Sequence, residues 1–309
     1  MCVTTFNEEK TIGTLLKSLT DQTKKPDEII VVDGGSTDAT VTQISKLKSK
    51  NHISNLRIIK TEQANIAMGR NLAIKNARNE IIAMTDAGCV ADKKWLEEIT
   101  RPFGPPNRKN ASRAEVVAGF YKMTTNSPFQ KSLANFLGTM PEKFNEKFLP
   151  STRSIAFTKD IWQKVGGFNE NLTTAEDTDF NYKLALAQAR IVRVKNAIVE
   201  WGIPDTIWGA YKKFFNYAKG DVETKILWNP AKGLMSHNIK VLFIFMRYLV
   251  GLALLGLGLG GTSLLPLFIF FGLVYLFWAY KKAGLWGVII QPASDLAVMS
   301  GAISGILGE

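Results

Sequence analysis

Residues 28–40, EIIVVDGGSTDAT, decide the fold of this chain. The run at 28–32 is apolar and β-branched, which predicts a buried strand. Asp33 follows the run directly and begins a Gly-Gly-Ser turn. In an open α/β sheet, ligands bind beyond the carboxyl ends of the parallel strands. Asp33 is therefore expected to lie at a ligand-binding edge.

The sequence around this stretch alternates between helical and strand patterns. Strands are predicted at 56–60, 80–85 and 115–121, and helices at 12–19, 41–47, 66–77 and 129–137. Strands that alternate with helices at this spacing predict an α/β domain with a mostly parallel sheet and right-handed crossovers. Asp86 follows the strand at 80–85, so we expect it at the same carboxyl edge as Asp33.

The composition limits the classes of partner that the chain is expected to bind. Its 309 residues carry a formal net charge of +11, which favours nucleic acid, an anionic membrane surface or a phosphorylated substrate. Nucleic acid is set aside, because the sequence has no zinc-finger spacing, no basic-aromatic RNA signature and no basic heptad helix. Cys2 and Cys89 are too far apart for a metal knuckle and are expected to be reduced thiols. Residues 1–9 lack the features of a signal peptide.

The composition changes at residue 241. Two apolar runs, 242–261 and 264–280, each approach the ~20 residues that a helix needs to cross hydrocarbon. A Gly-Gly-Thr-Ser turn at 260–263 separates the runs. We therefore predict a transmembrane helical hairpin, with two buried core helices as the alternative.

Basic residues flank the predicted hairpin. Lys240 precedes it and Lys281 and Lys282 follow it, which predicts that both outer ends lie on the cytoplasmic side of a cell membrane. Arg247, near the start of the first run, is expected to extend its side chain to that interface.

Two further segments border the hairpin. Residues 206–220 carry aromatic side chains among lysines, which fits a helix on lipid headgroups or a core helix with a solvated basic face. Residues 284–308 are apolar and predict an interfacial helix or a third span. We accordingly divide the chain into a catalytic domain at 1–205, an amphipathic juxtamembrane region at 206–240 and a membrane region at 241–309.

Four motifs carry a resemblance to a known family. They are VTTFNEE at 3–9, VDGGSTDAT at 32–40, TDAG at 85–88 and TAEDTDF at 174–180. In order and spacing they resemble glycosyltransferase family 2, whose members use nucleotide-sugars. The resemblance covers roughly residues 1–220 and implies a Rossmann-like GT-A domain.

The resemblance implies a set of nucleotide-sugar-binding residues. Thr5, Asn7, Glu8 and Asp33 would line the base and ribose, and Arg70 would reach a phosphate in bidentate fashion. Plainer alternatives exist for these residues. Asn7 and Glu8 fit a helix cap, Asp33 fits a turn carboxylate that bonds its own backbone, and Arg70 fits a solvated helix charge.

A divalent cation, Mn²⁺ or Mg²⁺, is the cofactor that the resemblance implies. Asp86 matches the first aspartate of the family's DxD motif, which holds the metal against the diphosphate, but Gly88 replaces the second aspartate. Hard cations prefer several oxygen ligands, so the protein is expected to offer fewer than usual. Asp92 is interpreted as a loop or helix-cap residue rather than a replacement ligand.

Glu176 and Asp177 match the acidic pair of the family. The resemblance implies that Asp177 is the general base of an inverting transfer, with Glu176 beside the nucleotide-sugar. Base catalysis of this kind contributes about 10²–10⁴-fold in rate. The alternative is an acidic helix N-terminus, stabilised by the helix dipole.

The sequence therefore predicts inverting sugar transfer from a nucleoside-diphosphate sugar at the cytoplasmic membrane face. The expected partners are this donor, membrane lipid and an unidentified acceptor, either lipid-linked or a polysaccharide. The competing hypothesis is a catalytically silent nucleotide-sugar-binding protein in a polysaccharide assembly complex, which the missing second aspartate suggests. A dinucleotide enzyme is excluded, because no G-x-G-x-x-G follows the first strand.

Overall fold

The computed structural model describes residues 1–50, 55–104, 113–226, 237–261 and 263–308. The chain forms two compact units. The first comprises Met1–Thr124 and Pro141–Gly202, and the second comprises Thr125–Met140 and Ile203–Glu309. Residues 227–236 of the predicted juxtamembrane region and Thr262 of the predicted turn lie outside the described residues.

The first unit is built on one eight-stranded sheet. Its strands are β1 (Cys2–Thr5), β2 (Ile29–Asp33), β3 (Leu56–Lys60), β4 (Ile81–Met84), β5 (Cys89–Ala91), β6 (Val116–Thr124), β7 (Ile155–Thr158) and β8 (Ile191–Gly202). They lie in the order β3-β2-β1-β4-β7-β6-β8-β5. The first four are parallel, whereas β7 is antiparallel to both neighbours and β5 to β8. The predicted α/β class is confirmed, and the motif-bearing strands form its parallel part.

Within the described residues, ten α-helices accompany the sheet. They are α1 (Ile12–Thr20), α2 (Thr40–Lys50), α3 (Ile66–Asn76), α4 (Trp95–Thr100), α5 (Pro128–Leu137), α6 (Lys159–Lys164), α7 (Glu176–Leu186), α8 (Ile207–Glu223), α9 (His237–Leu259) and α10 (Leu265–Leu307). The predicted helices lie within a few residues of these bounds. Helix α5 belongs to the second unit, which the sequence did not predict.

Aromatic packing fixes the position of α7 against the sheet. The ring of Phe180 lies 4.4 Å from that of Phe168 and 5.5 Å from that of Phe157 in β7. All three are buried, as is Leu184 one turn later. Burying a side chain of this size contributes about 1.5–3 kcal/mol. The core therefore anchors the helix whose first turn carries the acidic pair.

The turn after β2 packs tightly against the segment at 61–64. Gly35 has a φ of +99°, and a Cβ there would overlap the carbonyl oxygen of Glu62. A Cβ on Gly34 would lie 2.7 Å from the carbonyl oxygen of Ala64. Both positions therefore require glycine, and these close contacts fix the backbone path of the turn after Asp33.

In the second unit, α10 bends where Ala283 and Gly284 leave helical geometry. We call residues 285–307 its terminal limb. Two glycines of this limb lie against α8: a Cβ on Gly305 would be 2.7 Å from the carbonyl oxygen of Lys219, and Gly301 faces the backbone of Phe215. Helix α8 thus packs through one buried face, as its core-helix alternative requires, and the closing segment is helical as predicted.

Two helices of this unit are long and apolar enough to cross a membrane. The stretches are Ile239–Leu259 and Leu265–Leu307. Most of their large side chains are exposed, including Leu249, Leu252 and Phe277, so buried core helices do not fit. The guanidinium of Arg247 pairs with Asp295 in the terminal limb. Its side chain is still 39% exposed, so the expected extension to the interface stays a prediction.

We expect Gly35→Ala to destabilise the protein by about 2–3 kcal/mol, because it combines a strained positive φ with overlap on Glu62. Gly88→Ala is the matched control, since no atom lies within 4 Å of a Cβ built there. Urea unfolding in a mild detergent measures both. Equal stability of the two variants would contradict the tight turn.

Candidate functional site

Three adjacent parallel strands end in polar side chains, each with one oxygen atom that has no hydrogen-bond partner among the described residues. Thr5 ends β1 in register with Asp33 at the end of β2, and Thr85 follows β4. All three are buried. Thr5 Oγ1, Thr85 Oγ1 and Asp33 Oδ1 have no hydrogen-bond partner among the described residues. Buried polar atoms are nearly always bonded, so this edge has the character of a ligand site.

Asp33 also supports its own turn. Its Oδ2 accepts hydrogen bonds from the backbone N–H groups of Gly35 at 3.2 Å and Ser36 at 3.0 Å. Oδ2 therefore bonds the turn as the turn-carboxylate alternative predicts, whereas Oδ1 has no hydrogen-bond partner among the described residues.

Asn7 and Glu8 connect the end of β1 to the segment after that turn. Asn7 has a φ of +53° and its Oδ1 accepts the backbone N–H of Thr37 at 2.9 Å. The backbone N–H of Glu8 donates to Thr40 Oγ1 at 2.8 Å, and its carbonyl accepts the N–H of Ile12 at the start of α1. The Glu8 carbonyl thus supports the start of α1, whereas Asn7 makes no capping bond to it among the described residues, and both residues shape the edge beside Asp33.

Arg70 connects three distant segments from the buried face of α3. Arg70 is only 1% exposed. Nη1 donates to Glu176 Oε1, while Nη2 donates to Asp86 Oδ1 at 2.8 Å and to Thr152 Oγ1 at 2.9 Å. Desolvation lowers the pKa of Arg70, but the charges of Glu176 and Asp86 outweigh it and raise the pKa. The guanidinium is therefore a permanent cation among carboxylates.

Burial rules out one sequence-based interpretation of Arg70, and its bonds constrain the other, which stays a prediction. The side chain is buried, so it is not a solvated helix charge. Its two terminal nitrogens bind protein acceptors, so a bidentate phosphate contact requires those bonds to break. The helical pattern at 66–77 identified the helix but carried no signal for the partners of Arg70, which lie 16, 82 and 106 residues away.

Asp177 lies in the first turn of α7, next to Glu176, and is half-buried. Desolvation and the charge of Glu176 raise the pKa of Asp177 to about 6, against the opposing charges of Arg153 and Arg70. A carboxylate with a pKa near the working pH is suited to general-base chemistry.

Arg153 and Thr152 were missed by sequence reasoning. The Arg153 guanidinium lies 4.0 Å from the ring centroid of Trp201 and 5.2 Å from that of Tyr121. Its Nη1 also donates to Ser151 Oγ at 3.0 Å. Cation–π contacts of this kind hold a charged group in place. The only available signal was an arginine in a polar run before β7.

The possible metal ligands are few. Asp86 Oδ1 binds Arg70, and Oδ2 makes no hydrogen bond within the described residues. No group of three or more His, Cys, Asp or Glu side chains in those residues could hold a metal ion. The space beside Gly88 is open. Asp92 accepts the N–H of Lys94 at 3.1 Å in the turn before α4. Lys94 is the N-cap of α4, so the contact fits the loop interpretation of Asp92.

Comparisons with known proteins agree with this geometry. The family model described as glycosyl transferase family 2 matches residues 1–164, and that described as glycosyl transferase family group 2 matches residues 112–282. The match to the first model covers more than half of the chain.

Two relatives match over most of their length. The dolichyl N-acetyl-alpha-D-glucosaminyl phosphate 3-beta-D-2,3-diacetamido-2,3-dideoxy-beta-D-glucuronosyltransferase of Methanococcus voltae is 24% identical over 256 residues, which cover 79% of this chain and 76% of the relative. The O-antigen chain rhamnosyltransferase RfbN of Salmonella typhimurium is 25% identical over 231 residues, 70% of each chain.

A solved structure shares the fold. The mannosyltransferase PcManGT from Pyrobaculum calidifontis, in complex with GDP-Man and Mn²⁺, superposes with a TM-score of 0.74 over 100% of this chain and 86% of that chain, at 18% identity. The fold is thus GT-A, and the relatives are glycosyltransferases. On these grounds the chain is a glycosyltransferase and belongs to glycosyltransferase family 2.

Proposed function

We propose that the chain transfers a sugar from a nucleoside-diphosphate sugar to an acceptor hydroxyl with inversion at the anomeric carbon. The observation that carries the proposal is Asp177, a half-buried carboxylate whose pKa is raised to about 6. It lies next to buried Arg70 and Glu176, and Arg70 also binds the partly exposed Asp86. A silent binding protein has no need for such a carboxylate.

The donor nucleoside binds, in this proposal, where β1 and β2 end. Asp33 Oδ1 is an acceptor and Thr5 Oγ1 is both a donor and an acceptor, and neither has a protein partner among the described residues. Such groups suit ribose hydroxyls and base edges. Asn7 and Glu8 shape this edge through their bonds to Thr37 and Thr40.

Asp177 is the proposed catalytic base. It takes the proton of the acceptor hydroxyl while that oxygen attacks the anomeric carbon. The bond from the anomeric carbon to the phosphate oxygen breaks, and the nucleoside diphosphate leaves with the electron pair. Attack from the face opposite the leaving group inverts the configuration.

Arg70 is a positioning residue in this scheme. By binding Glu176 and Asp86 together, it holds the first turn of α7 beside the end of β4. Its charge also opposes the rise in the pKa of Asp177. Glu176, occupied by Arg70, therefore fixes the location of Asp177 rather than competing with it as a base.

Asp86 is the proposed protein ligand of a divalent cation. A bound cation would neutralise charge on the leaving diphosphate. Asp86 Oδ2 is available, but the absence of a larger ligand group among the described residues fits a site that the donor's phosphates complete.

Membrane attachment is proposed from the two apolar helices. Their lengths and exposed side chains fit insertion, and Lys240, Lys281 and Lys282 favour a catalytic domain, residues 1–205, on the cytoplasmic side. Residues 206–240 would then border the lipid, and residues 241–309 would form the membrane region. A lipid-linked or polysaccharide acceptor fits this location and the names of the two relatives.

We expect Asp177→Asn to lower the transfer rate by about 10²–10⁴-fold, because the base is lost, while the affinity for nucleoside diphosphate stays within a few-fold. The matched control is Asp179→Asn in the same helical turn, where the carboxylate pairs with Lys183 at 2.8 Å. Release of nucleoside diphosphate and calorimetry measure the two quantities. Near-normal transfer by Asp177→Asn would exclude the role.

The pH dependence tests the same residue. The base acts as a carboxylate, so a pKa of about 6 predicts a rate that is half-maximal near pH 6 and levels above about pH 7. At pH 5 the rate should be about one tenth of the plateau value. The control is nucleotide affinity over the same range. A rate that falls as pH rises from 5 to 7 would assign Asp177 another role.

Arg70→Met should destabilise the protein by about 3–5 kcal/mol, because it leaves buried carboxylates without their cation. Arg101→Met is the control, since Arg101 is largely exposed in its pair with Glu98 and should change stability by less than about 1 kcal/mol. Urea unfolding compares the two. Similar stability would contradict the central position of Arg70.

For the metal, we expect Mn²⁺ to bind weakly to the protein alone and much better with nucleoside diphosphate present. Asp86→Ala should weaken this binding, and Gly88→Asp should strengthen it because the space there is open. Calorimetry with and without nucleotide tests both. Tight nucleotide-independent binding, unaffected by Asp86→Ala, would place the metal elsewhere.

A further inference from the structure

Helix α10 is too long for a single crossing of a membrane. Its 43 residues would extend about 65 Å as a straight helix, roughly twice the thickness of a hydrocarbon core. The bend at Ala283 and Gly284 divides the helix. A Cβ on Gly287 would overlap the carbonyl of Ala279, which in a straight helix would be about 12 Å away. The terminal limb therefore turns back sharply from the part of α10 before the bend.

One face of the terminal limb packs closely against α8. Gly301 and Gly305 lie against the backbone of α8, where a Cβ on either residue would meet a carbonyl group. The hydroxyl of Tyr211 in α8 also donates to Ser300 Oγ at 3.3 Å. Small residues four positions apart permit two helices to approach this closely. The second half of the limb therefore runs alongside α8.

Helix α8 belongs at a membrane surface rather than in hydrocarbon. Its charged residues are Lys212, Lys213, Lys219, Asp221 and Glu223. Charged side chains at the centre of a bilayer are costly. Near the start of the helix, Trp208 is 60% exposed, and Lys212 Nζ lies 5.3 Å from the centroid of its ring. Exposed tryptophan is typical of the level of the lipid headgroups.

The position of α8 limits the course of the terminal limb. In the proposed membrane orientation, α9 and the part of α10 before the bend each cross once, so the bend lies on the side where α9 begins. Helix α8 precedes α9 in the chain and lies on that same side. A limb that crossed again would end on the opposite side, away from α8. The contacts of Gly301 and Gly305 with α8 therefore do not fit a third span.

The opposite face of the limb is an exposed apolar stripe. We call it the limb stripe, and it consists of Leu285, Ile289, Leu296, Ile303 and Leu307. Spacings of four and seven residues place these side chains on one side of a helix. The limb has one charged side chain, Asp295, which is buried and pairs with Arg247 of α9. The limb stripe itself therefore carries no charge.

We propose that the terminal limb lies in the plane of the membrane, with the limb stripe against lipid acyl chains and α8 on its aqueous side. Helices of this kind insert about 5–10 Å into the boundary between headgroups and acyl chains. A continuous exposed apolar face requires an apolar partner. The lipid around α9 is the nearest one, because Asp295 links the limb directly to that helix. This inference rests on the proposed membrane association and names a further surface that contacts lipid.

The test measures membrane depth along the limb by electron paramagnetic resonance of spin labels. The full chain is placed in vesicles of phosphatidylcholine and phosphatidylglycerol, with one label at a time introduced by Leu285→Cys, Ile289→Cys, Leu296→Cys or Ile303→Cys. Power saturation with oxygen, which concentrates in hydrocarbon, and with a water-soluble nickel complex gives the depth of each label. The wild type, whose Cys2 and Cys89 are buried, is treated in the same way and gives the background.

Two matched controls come from neighbouring helices. Val250→Cys places a label on an exposed position of α9, inside the apolar stretch Ile239–Leu259. Lys212→Cys places one on the exposed face of α8. We expect the label at Val250 to be the deepest of all and the label at Lys212 to be accessible to nickel.

We expect all four limb labels to be accessible to oxygen, protected from nickel and similar in depth, at about 5–10 Å below the headgroups. A third span would give depths that pass through the bilayer centre, because Leu285 and Ile303 are about 27 Å apart along a helix. That result would overturn the proposal. Nickel access along the limb would overturn it too, since the limb stripe would then face water. Protection from both reagents would do the same, since a protein such as a second copy of the chain would then cover the stripe.

Two measurements on the same samples separate this inference from the proposals on which it rests. Nickel access at Val250 would show that α9 is outside hydrocarbon, and the membrane proposal would then fail. Release of nucleoside diphosphate tests the transferase proposal, whatever the depth of the limb. Circular dichroism of each labelled variant confirms that it is folded.

Discussion

The buried guanidinium of Arg70 is the constraint on which the catalytic unit depends. Its two terminal nitrogens bind Glu176, Asp86 and Thr152, which come from three segments far apart in sequence. Carboxylates crowded in a desolvated site repel one another unless a cation lies among them. The bond network therefore permits the acidic residues of β4 and α7 to occupy one site, and it determines where Asp177 lies.

Two arginines have different physical tasks around that base. Arg70 is fully buried and bound by carboxylates, so its contribution is to assemble the site. Arg153 lies against the rings of Tyr121 and Trp201 and donates to Ser151, and its charge lowers the pKa of Asp177. Both oppose the desolvation and the Glu176 charge that raise the pKa of Asp177. The balance raises the pKa of Asp177 to about 6. At neutral pH the carboxylate is therefore largely ionised and is a stronger base than an ordinary aspartate.

Local patterns predicted the parts of the fold that local chemistry determines. The strand at 56–60 was predicted with its observed bounds, and Asp33 and Asp86 were placed at one edge because each follows an apolar run. The partners of Arg70, the arginine at 153 and the bend at Ala283 depend on contacts between distant segments. A single sequence carries no signal for such contacts, so neither the bonds of Arg70 nor the presence of Thr152 and Arg153 beside the acidic residues was predicted.

Gly88 takes on a different meaning once Arg70 is considered. Asp86 already shares this arginine with Glu176, so a second aspartate at 88 would add negative charge to a region with one fully buried cation. A further negative charge near Asp177 would raise its pKa and lower the fraction that is ionised at neutral pH. Glycine at 88 adds no fourth carboxylate to Asp86, Glu176 and Asp177, which have two arginines, Arg70 and Arg153, beside them. Gly88 and the buried Arg70 thus both limit the net negative charge around Asp177.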